Sequence, residues 1–312
     1  MSEAAAALIL SEPLAGLHAQ AIGLAEAARL PHELRILAPR PPWKWVAAKL
    51  WPRPLAAVAD SLRAPLPGLI IACGGMGAAV AAALRQGTRA VVQVQHPRLD
   101  PRRFDLIVVN RHDELTGPNV VVTRTALHRA TPQRLAAAAT AWRGRLAHLP
   151  RPLVAVLIGG SNGRFRLDAA VAAQLAGSLA GMLQRDRVGL AVTPSRRTDP
   201  AAVRVLRQTL EPLGAYIWDG AGENPYFGML GLADAIVVTQ DSVSMISEAA
   251  ATAAPVLIAP LPGRSRRQAL FLDVLRAEDR VRWFEGRFAT WKVAPLDDTP
   301  AAAAELRRRL GL

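Results

Sequence analysis

Ala233-Asp234-Ala235-Ile236-Val237-Val238-Thr239-Gln240-Asp241-Ser242-Val243-Ser244-Met245-Ile246-Ser247-Glu248 changes character halfway along. Ala235 to Val238 is apolar and largely β-branched, as in a parallel strand buried on both faces. Thr239, Gln240 and Asp241 interrupt it, and Asp241 or Ser242 can cap the helix that follows. On that helix Asp241, Ser244/Met245 and Glu248 recur at helical spacing, while Val243, Ile246, Ala249, Ala250 and Ala253 make the apolar side. Strand, polar turn and helix together put polar groups at the carboxyl edge of a sheet, where open α/β sheets bind ligands. A capped helix with a solvated Glu248 is the plainer alternative.

The same strand-then-loop unit repeats around this stretch. Leu153 to Ile158 runs into Gly159-Gly160-Ser161-Asn162-Gly163-Arg164-Phe165-Arg166 and a helix from Asp168. Gly189 to Val192 leads to Thr193-Pro194-Ser195-Arg196-Arg197-Thr198, and Ala215 to Trp218 leads to a loop ending in Asn224-Pro225-Tyr226. Pro255 to Ala259 precedes Pro262-Gly263-Arg264-Ser265-Arg266-Arg267-Gln268. Before residue 130 the expected strands are 8–10, 34–38, 67–73, 89–95, 104–109 and 120–123. An Ala-rich helix over 132–148, closed by Pro150-Arg151-Pro152, separates the two series. Alternating strands and helices predict two doubly wound α/β domains. Their expected bounds are 1–130 and 153–290, with a bridge at 131–152 and a tail helix in 291–312.

Gly74-Gly75-Met76-Gly77 mimics a dinucleotide fingerprint, but the next strand ends in Gln93 and Gln95 where a ribose-binding acid is needed. NAD is therefore rejected. At 312 residues and 51% apolar the chain is neither disordered nor, lacking a long apolar run, membrane-spanning. Ala4 to Leu10 is apolar but follows Glu3 with no basic lead, so a first strand is expected rather than a signal peptide. The lone Cys73 and the lack of zinc spacing predict a cytoplasmic protein without metal or bound cofactor. The net charge is +13, and only Lys44, Lys49 and Lys292 are lysines. Arginine suits phosphate and carboxylate partners. Scattered charge and 5% aromatics argue against nucleic acid.

The loops after the second series of strands agree with one another. Gly159-Gly160 permits close backbone approach, and amides ahead of the Asp168 helix can cradle an anion. Arg164, Arg196, Arg197, Arg264, Arg266 and Arg267 add positive charge, and Glu248 can accept both hydroxyls of a ribose. Together they describe a nucleoside-diphosphate site. Structural turns with solvated arginines are the alternative.

Residues 233–268 resemble the nucleotide-binding half of GT-B glycosyltransferases, with two Rossmann-like domains facing across a cleft. The combination of Ile158 to Ser161, Ser195 to Thr198, Gly222 to Phe227 and Thr239 to Ala249 is similar to the "elongated mitochondria" family. That family includes plant mitochondrial fission factors and bacterial glycosyltransferase-like proteins. Gln93 to Asp100, Phe104 to Asp113 and Thr123 to His128 share the likeness, whereas Ser11 to Gly16 departs from it. The resemblance implies a donor site that also takes in Ser161, Ser195, Asn224, Ser242, Ser244, Ser247, Arg267 and Gln268. It implies sugar transfer from a nucleotide donor to a cell-envelope glycolipid or polysaccharide. His112 and Asp113 are the candidate bases, with His96 and Asp241 in reserve. An ordinary loop histidine is an equal reading of His112. A non-catalytic scaffold and a sugar-nucleotide epimerase are the competing functions.

Trp43-Lys44-Trp45-Val46-Ala47-Ala48-Lys49-Leu50-Trp51 lies among Pro41, Pro42, Pro52 and Pro54. Trp43, Trp45 and Trp51 beside two lysines suit an anionic interface and predict peripheral attachment at the inner face of a membrane. A Trp-rich loop tucked against its own domain is the competing expectation.

Overall fold

The computed structural model describes residues 7–62, 66–85 and 89–312. The apolar lead-in Ala4 to Ala6 lies outside the described residues. The chain divides into two compact units, one of residues 1–129 and 297–312, the other Ala130–Leu296.

The first unit carries β1 (Ala7–Ser11), α1 (Ala15–Ala27), β2 (His32–Ile36), the short α2 (Pro54–Ala57), β3 (Leu69–Cys73), α3 (Gly74–Leu84), β4 (Ala90–Val94), β5 (Leu106–Asn110) and β6 (Val120–Thr123). Its sheet is parallel throughout, in the order β2-β1-β3-β4-β5-β6. Burial on both faces explains why β1, β3 and β5 read as unbroken apolar runs.

The second unit carries α4 (Pro132–Arg143), β7 (Leu153–Ile158), α5 (Ala169–Asp186), β8 (Gly189–Pro194), α6 (Pro200–Leu210), β9 (Tyr216–Ile217), α7 (Tyr226–Leu232), β10 (Ala235–Thr239), α8 (Val243–Ala250), β11 (Val256–Ala259), α9 (Arg266–Ala277) and β12 (Val281–Trp283). The order β12-β11-β10-β7-β8-β9, again all parallel, puts the point where the winding reverses between β7 and β10. Separate apolar clusters fill the two faces, one with Leu157, Ile236 and Phe271, the other with Val156, Val237 and Leu179. Each fully buried side chain of this kind contributes about 1.5–3 kcal/mol.

Helix starts follow local chemistry. Thr131 and Asp199 accept the amides of Arg134 and Ala201 ahead of prolines at the first helical position, and Asp168 accepts the Val171 amide. At α8 the cap is Ser242, whose hydroxyl accepts from Met245 N–H at 3.3 Å. The helix expected over 132–148 stops at Arg143, before Gly144. The strand expected at 34–38 sits two residues earlier, and β12 is an additional edge strand. Arg280, just before β12, is buried and reaches the end of α8. Its guanidinium donates to the carbonyls of Ala249, Ala250, Thr252 and Ala254 at 2.8–3.1 Å, and burial pushes its pKa down to about 10.

After Leu296 the chain returns to the first unit as α10 (Thr299–Leu310), which packs against α1. Asp298 fastens it by accepting the Arg124 amide and guanidinium at 2.5 and 2.6 Å. Among the described residues, no helix is long and apolar enough to cross a membrane.

Candidate functional site

Strand winding diverges from β7 and β10, and it is beyond the carboxyl ends of strands at such a reversal that α/β sheets bind ligands. Five of the expected residues meet there: Gly159, Gly160, Ser195, Arg197 and Asp241. Thr239 at the end of β10 accepts the Gly159 amide at 2.8 Å and donates to Asp241 at 2.7 Å. Asp241 accepts the Gly160 amide at 3.1 Å and the Arg197 guanidinium at 3.0 Å. Ser195 and Thr198 both donate to the Gly159 carbonyl, at 3.0 and 2.5 Å.

This network corrects two expectations. The Gly159 and Gly160 amides do not point at an open anion site, because Thr239 and Asp241 accept them. The glycines serve close packing instead. A Cβ on Gly159 would overlap the Asp241 carboxylate, and one on Gly160 would overlap the Arg197 backbone. Asp241 is not an accessible base either: its side chain is 0% exposed and holds three neighbours.

Glu248 lies inward on α8 and is 7% exposed. Tyr226, the first residue of α7, donates its hydroxyl to Glu248 Oε2 at 2.5 Å. Burial pushes the Glu248 carboxyl up to about 7 against the opposing pull of that hydrogen bond, and drives the Tyr226 phenol well above its ordinary range. Tyr226 is the residue that the sequence reading did not assign to the site. Its signal was the Asn224-Pro225-Tyr226 turn, in which Asn224 Oδ1 accepts the Tyr226 amide at 2.9 Å and so starts α7.

The remaining donor-side candidates divide into those with local duties and those exposed. Ser161 accepts the Leu167 amide at 2.8 Å within its loop. Ser242 caps α8, with Ser244 half-buried and Ser247 buried on the same helix. Gln268 is buried in α9 and donates to the Gln240 carbonyl at 2.5 Å, while Gln240 accepts the Leu261 amide at 3.0 Å. That pair pins the loop after β11 to the end of β10. Arg196, Arg264, Arg266 and Arg267 are exposed on loops and helix starts at the carboxyl ends of β8 and β11.

In the first unit, His112 is buried in a single turn after β5, and Asp113 accepts the Asn110 amide at 3.2 Å. The histidine is enclosed and the carboxylate closes the strand end, so both have local structural duties. His96 is half-buried and its Nδ1 accepts the Arg98 amide at 2.9 Å. At this sheet's own reversal, between β1 and β3, Glu12 accepts the Met76 amide at 2.9 Å. Gly74, at φ +83°, leaves room for that carboxylate. The Gly74–Gly77 start of α3 is thus occupied by an internal acid.

The tryptophans part company. Trp51 is 6% exposed, belongs to the core and donates to the Val46 carbonyl at 3.0 Å, which corrects its expected membrane role. Trp43 is half-buried against the same core, and Trp45 is 72% exposed.

A family model described as mitochondrial fission ELM1 matches residues 15–310. The chain is 36% identical over 274 residues to the mitochondrial fission protein ELM1 of Arabidopsis thaliana, covering 78% of this chain and 64% of that protein. It thus spans somewhat less than two thirds of that relative. Among solved structures, the UDP-GlcNAc 2-epimerase of Methanocaldococcus jannaschii, in complex with UDP-GlcNAc and UDP, aligns with a TM-score of 0.58 at 11% identity, covering 97% of this chain and 98% of that one. A UDP-glucosyltransferase from Polygonum tinctorium aligns at 0.56 and 12% identity, covering 99% and 89%. These likenesses establish the fold of GT-B glycosyltransferases and epimerases.

Proposed function

The chain belongs to the mitochondrial fission ELM1 family, and from that premise we propose that it binds a nucleoside-diphosphate sugar in its second unit and transfers the sugar to a cell-envelope glycolipid or polysaccharide. The observation that carries this reading is Glu248. A carboxylate buried beside a tyrosine hydroxyl, on the helix that follows the sheet's reversal, costs the folded chain energy when ionised. A ribose offering two hydroxyls to it accounts for its presence. Exposed Arg196, Arg264, Arg266 and Arg267 supply the charge that a diphosphate needs, and Arg197 can exchange Asp241 for phosphate. The structural neighbours named above hold or act on UDP compounds, which makes a uridine nucleotide the first ligand to try.

A thermal-shift titration with UDP, UDP-GlcNAc and a 2′,3′-dideoxy nucleoside diphosphate tests the reading. A ligand at a hundredfold excess over its Kd stabilises by about 2.7 kcal/mol. Ribose forms should shift the melt and the dideoxy form should not. Equal shifts for both would remove the ribose contact.

The engagement of Asp241 and Asp113 in structural hydrogen bonds favours a second reading, binding without catalysis. Slow release of the nucleoside diphosphate from a sugar nucleotide supports the transferase. Interconversion of intact sugar nucleotides indicates an epimerase, and ligand binding with no turnover a scaffold.

A further inference from the structure

The first unit presents a small apolar platform ringed by cations. Two tight 3-10 turns, Trp43–Trp45 and Ala48–Leu50, are joined by a bend that Trp51 locks from below through its hydrogen bond to Val46. Trp43 is wedged against the core. Between these anchors, Trp45 is 72%, Leu50 66% and Val46 36% exposed. Lys44 Nζ stands 4.3 Å from the Trp45 ring centroid. No acidic residue occurs between Glu33 and Asp60, while Arg35, Arg40, Lys44, Lys49 and Arg53 fall inside that interval. Glu33 pairs with Arg35 and Asp60 with Arg40, so both flanking acids answer a cation.

We propose that this platform, Lys44 to Arg53, docks the chain peripherally on an anionic lipid bilayer. An indole seated at headgroup depth, a leucine beside it and ammonium groups reaching outward match the layered chemistry of that interface. The surplus of positive charge selects lipid phosphate over a neutral surface. A rigid base matters as well, because exposed rings held by turns lose little conformational freedom on docking.

The test uses the full chain and two vesicle compositions, pure phosphatidylcholine and phosphatidylcholine with about one-third phosphatidylglycerol. Wild type should float with the anionic vesicles and remain free of the neutral ones. Lys44→Gln/Lys49→Gln should lower the partition coefficient about 30-fold, the equivalent of ~1 kcal/mol per lysine. Trp45→Ser/Leu50→Ser should lower it by at least about tenfold, with an unchanged melting temperature because both side chains face solvent. Bromolipid should quench wild-type fluorescence more than that of Trp45→Phe. Failure of wild type to float with anionic vesicles, flotation of both double variants like wild type, or equal quenching of wild type and Trp45→Phe would overturn the proposal. Of these, absence of flotation would point to a protein partner for the platform.

Discussion

Replacing Glu248 with Gln should stabilise the protein in a pH-dependent way. In the folded chain the carboxyl titrates near 7 rather than its ordinary 4.5, because burial penalises the charge more than Tyr226 relieves it. The folded state therefore holds the proton more tightly than the unfolded state. Stability from this group is complete below about 4.5, declines as pH rises through the interval to about 7, and is flat above. The full span is on the order of 3 kcal/mol, most of it lost between pH 5 and pH 8. Gln keeps an oxygen that can accept from Tyr226 and has no proton to lose. Other titrating groups are common to both proteins and cancel in the difference. Urea unfolding of wild type and Glu248→Gln at pH 5, 6, 7 and 8, with calorimetry to separate the two units' transitions, reads that difference directly. The variant's advantage should grow by roughly 2–3 kcal/mol from pH 5 to pH 8. Parallel curves for the two proteins would refute the assigned burial of the ionised carboxylate, and with it the energetic case for a ligand.

Changing Arg196 and Arg197 together to Gln should weaken a nucleoside diphosphate far more than the bare nucleoside, by about 1.5–3 kcal/mol per lost charged contact; calorimetric titration of both ligands checks it. Gly159→Ala forces a methyl into the Asp241 carboxylate and should cost about 1–3 kcal/mol while abolishing nucleotide binding, measured by denaturation and thermal shift. Trp51→Ala should lose about 3–5 kcal/mol of stability as a buried aromatic, against no more than about 0.5 kcal/mol for Trp45→Ala, by urea unfolding. Nucleoside-diphosphate affinity should rise more steeply from pH 6 to pH 8 in wild type than in Glu248→Gln, since both share the titration of the ligand phosphate and only wild type gains from ionising Glu248.

Strands buried on both faces were plain in the sequence, since Leu153 to Ile158 carries its apolar run from end to end, whereas Val120 to Thr123 reads almost as apolar yet is an edge strand that leaves Val122 exposed. Val281–Trp283 was not, because Arg280 and Arg282 break so short a run and only pairing with β11 makes it a strand. Adjacency escaped the sequence too: the strand at 153–158 lies beside the one at 235–239 because the winding reverses there. At the site, a glycine pair announces that something comes close without saying what. Here the visitor is Asp241, from 82 positions later than Gly159, and not an anion. Helical spacing placed Glu248 on one face of α8, yet its partner Tyr226 comes from another helix and depends on packing. Three tryptophans in nine residues likewise could not tell which ring turned inward.

Arg280 has a mechanical consequence. One guanidinium clasps four carbonyls from the end of α8 and the turn behind it, and it sits one residue ahead of the edge strand β12. Neither piece can detach without stranding a buried cation, so the last turn of α8 and the first residue of β12 should open together. Their amides should exchange with solvent at a common rate, and loosening the sheet's outermost strand should be felt as strain in the helix that carries Glu248.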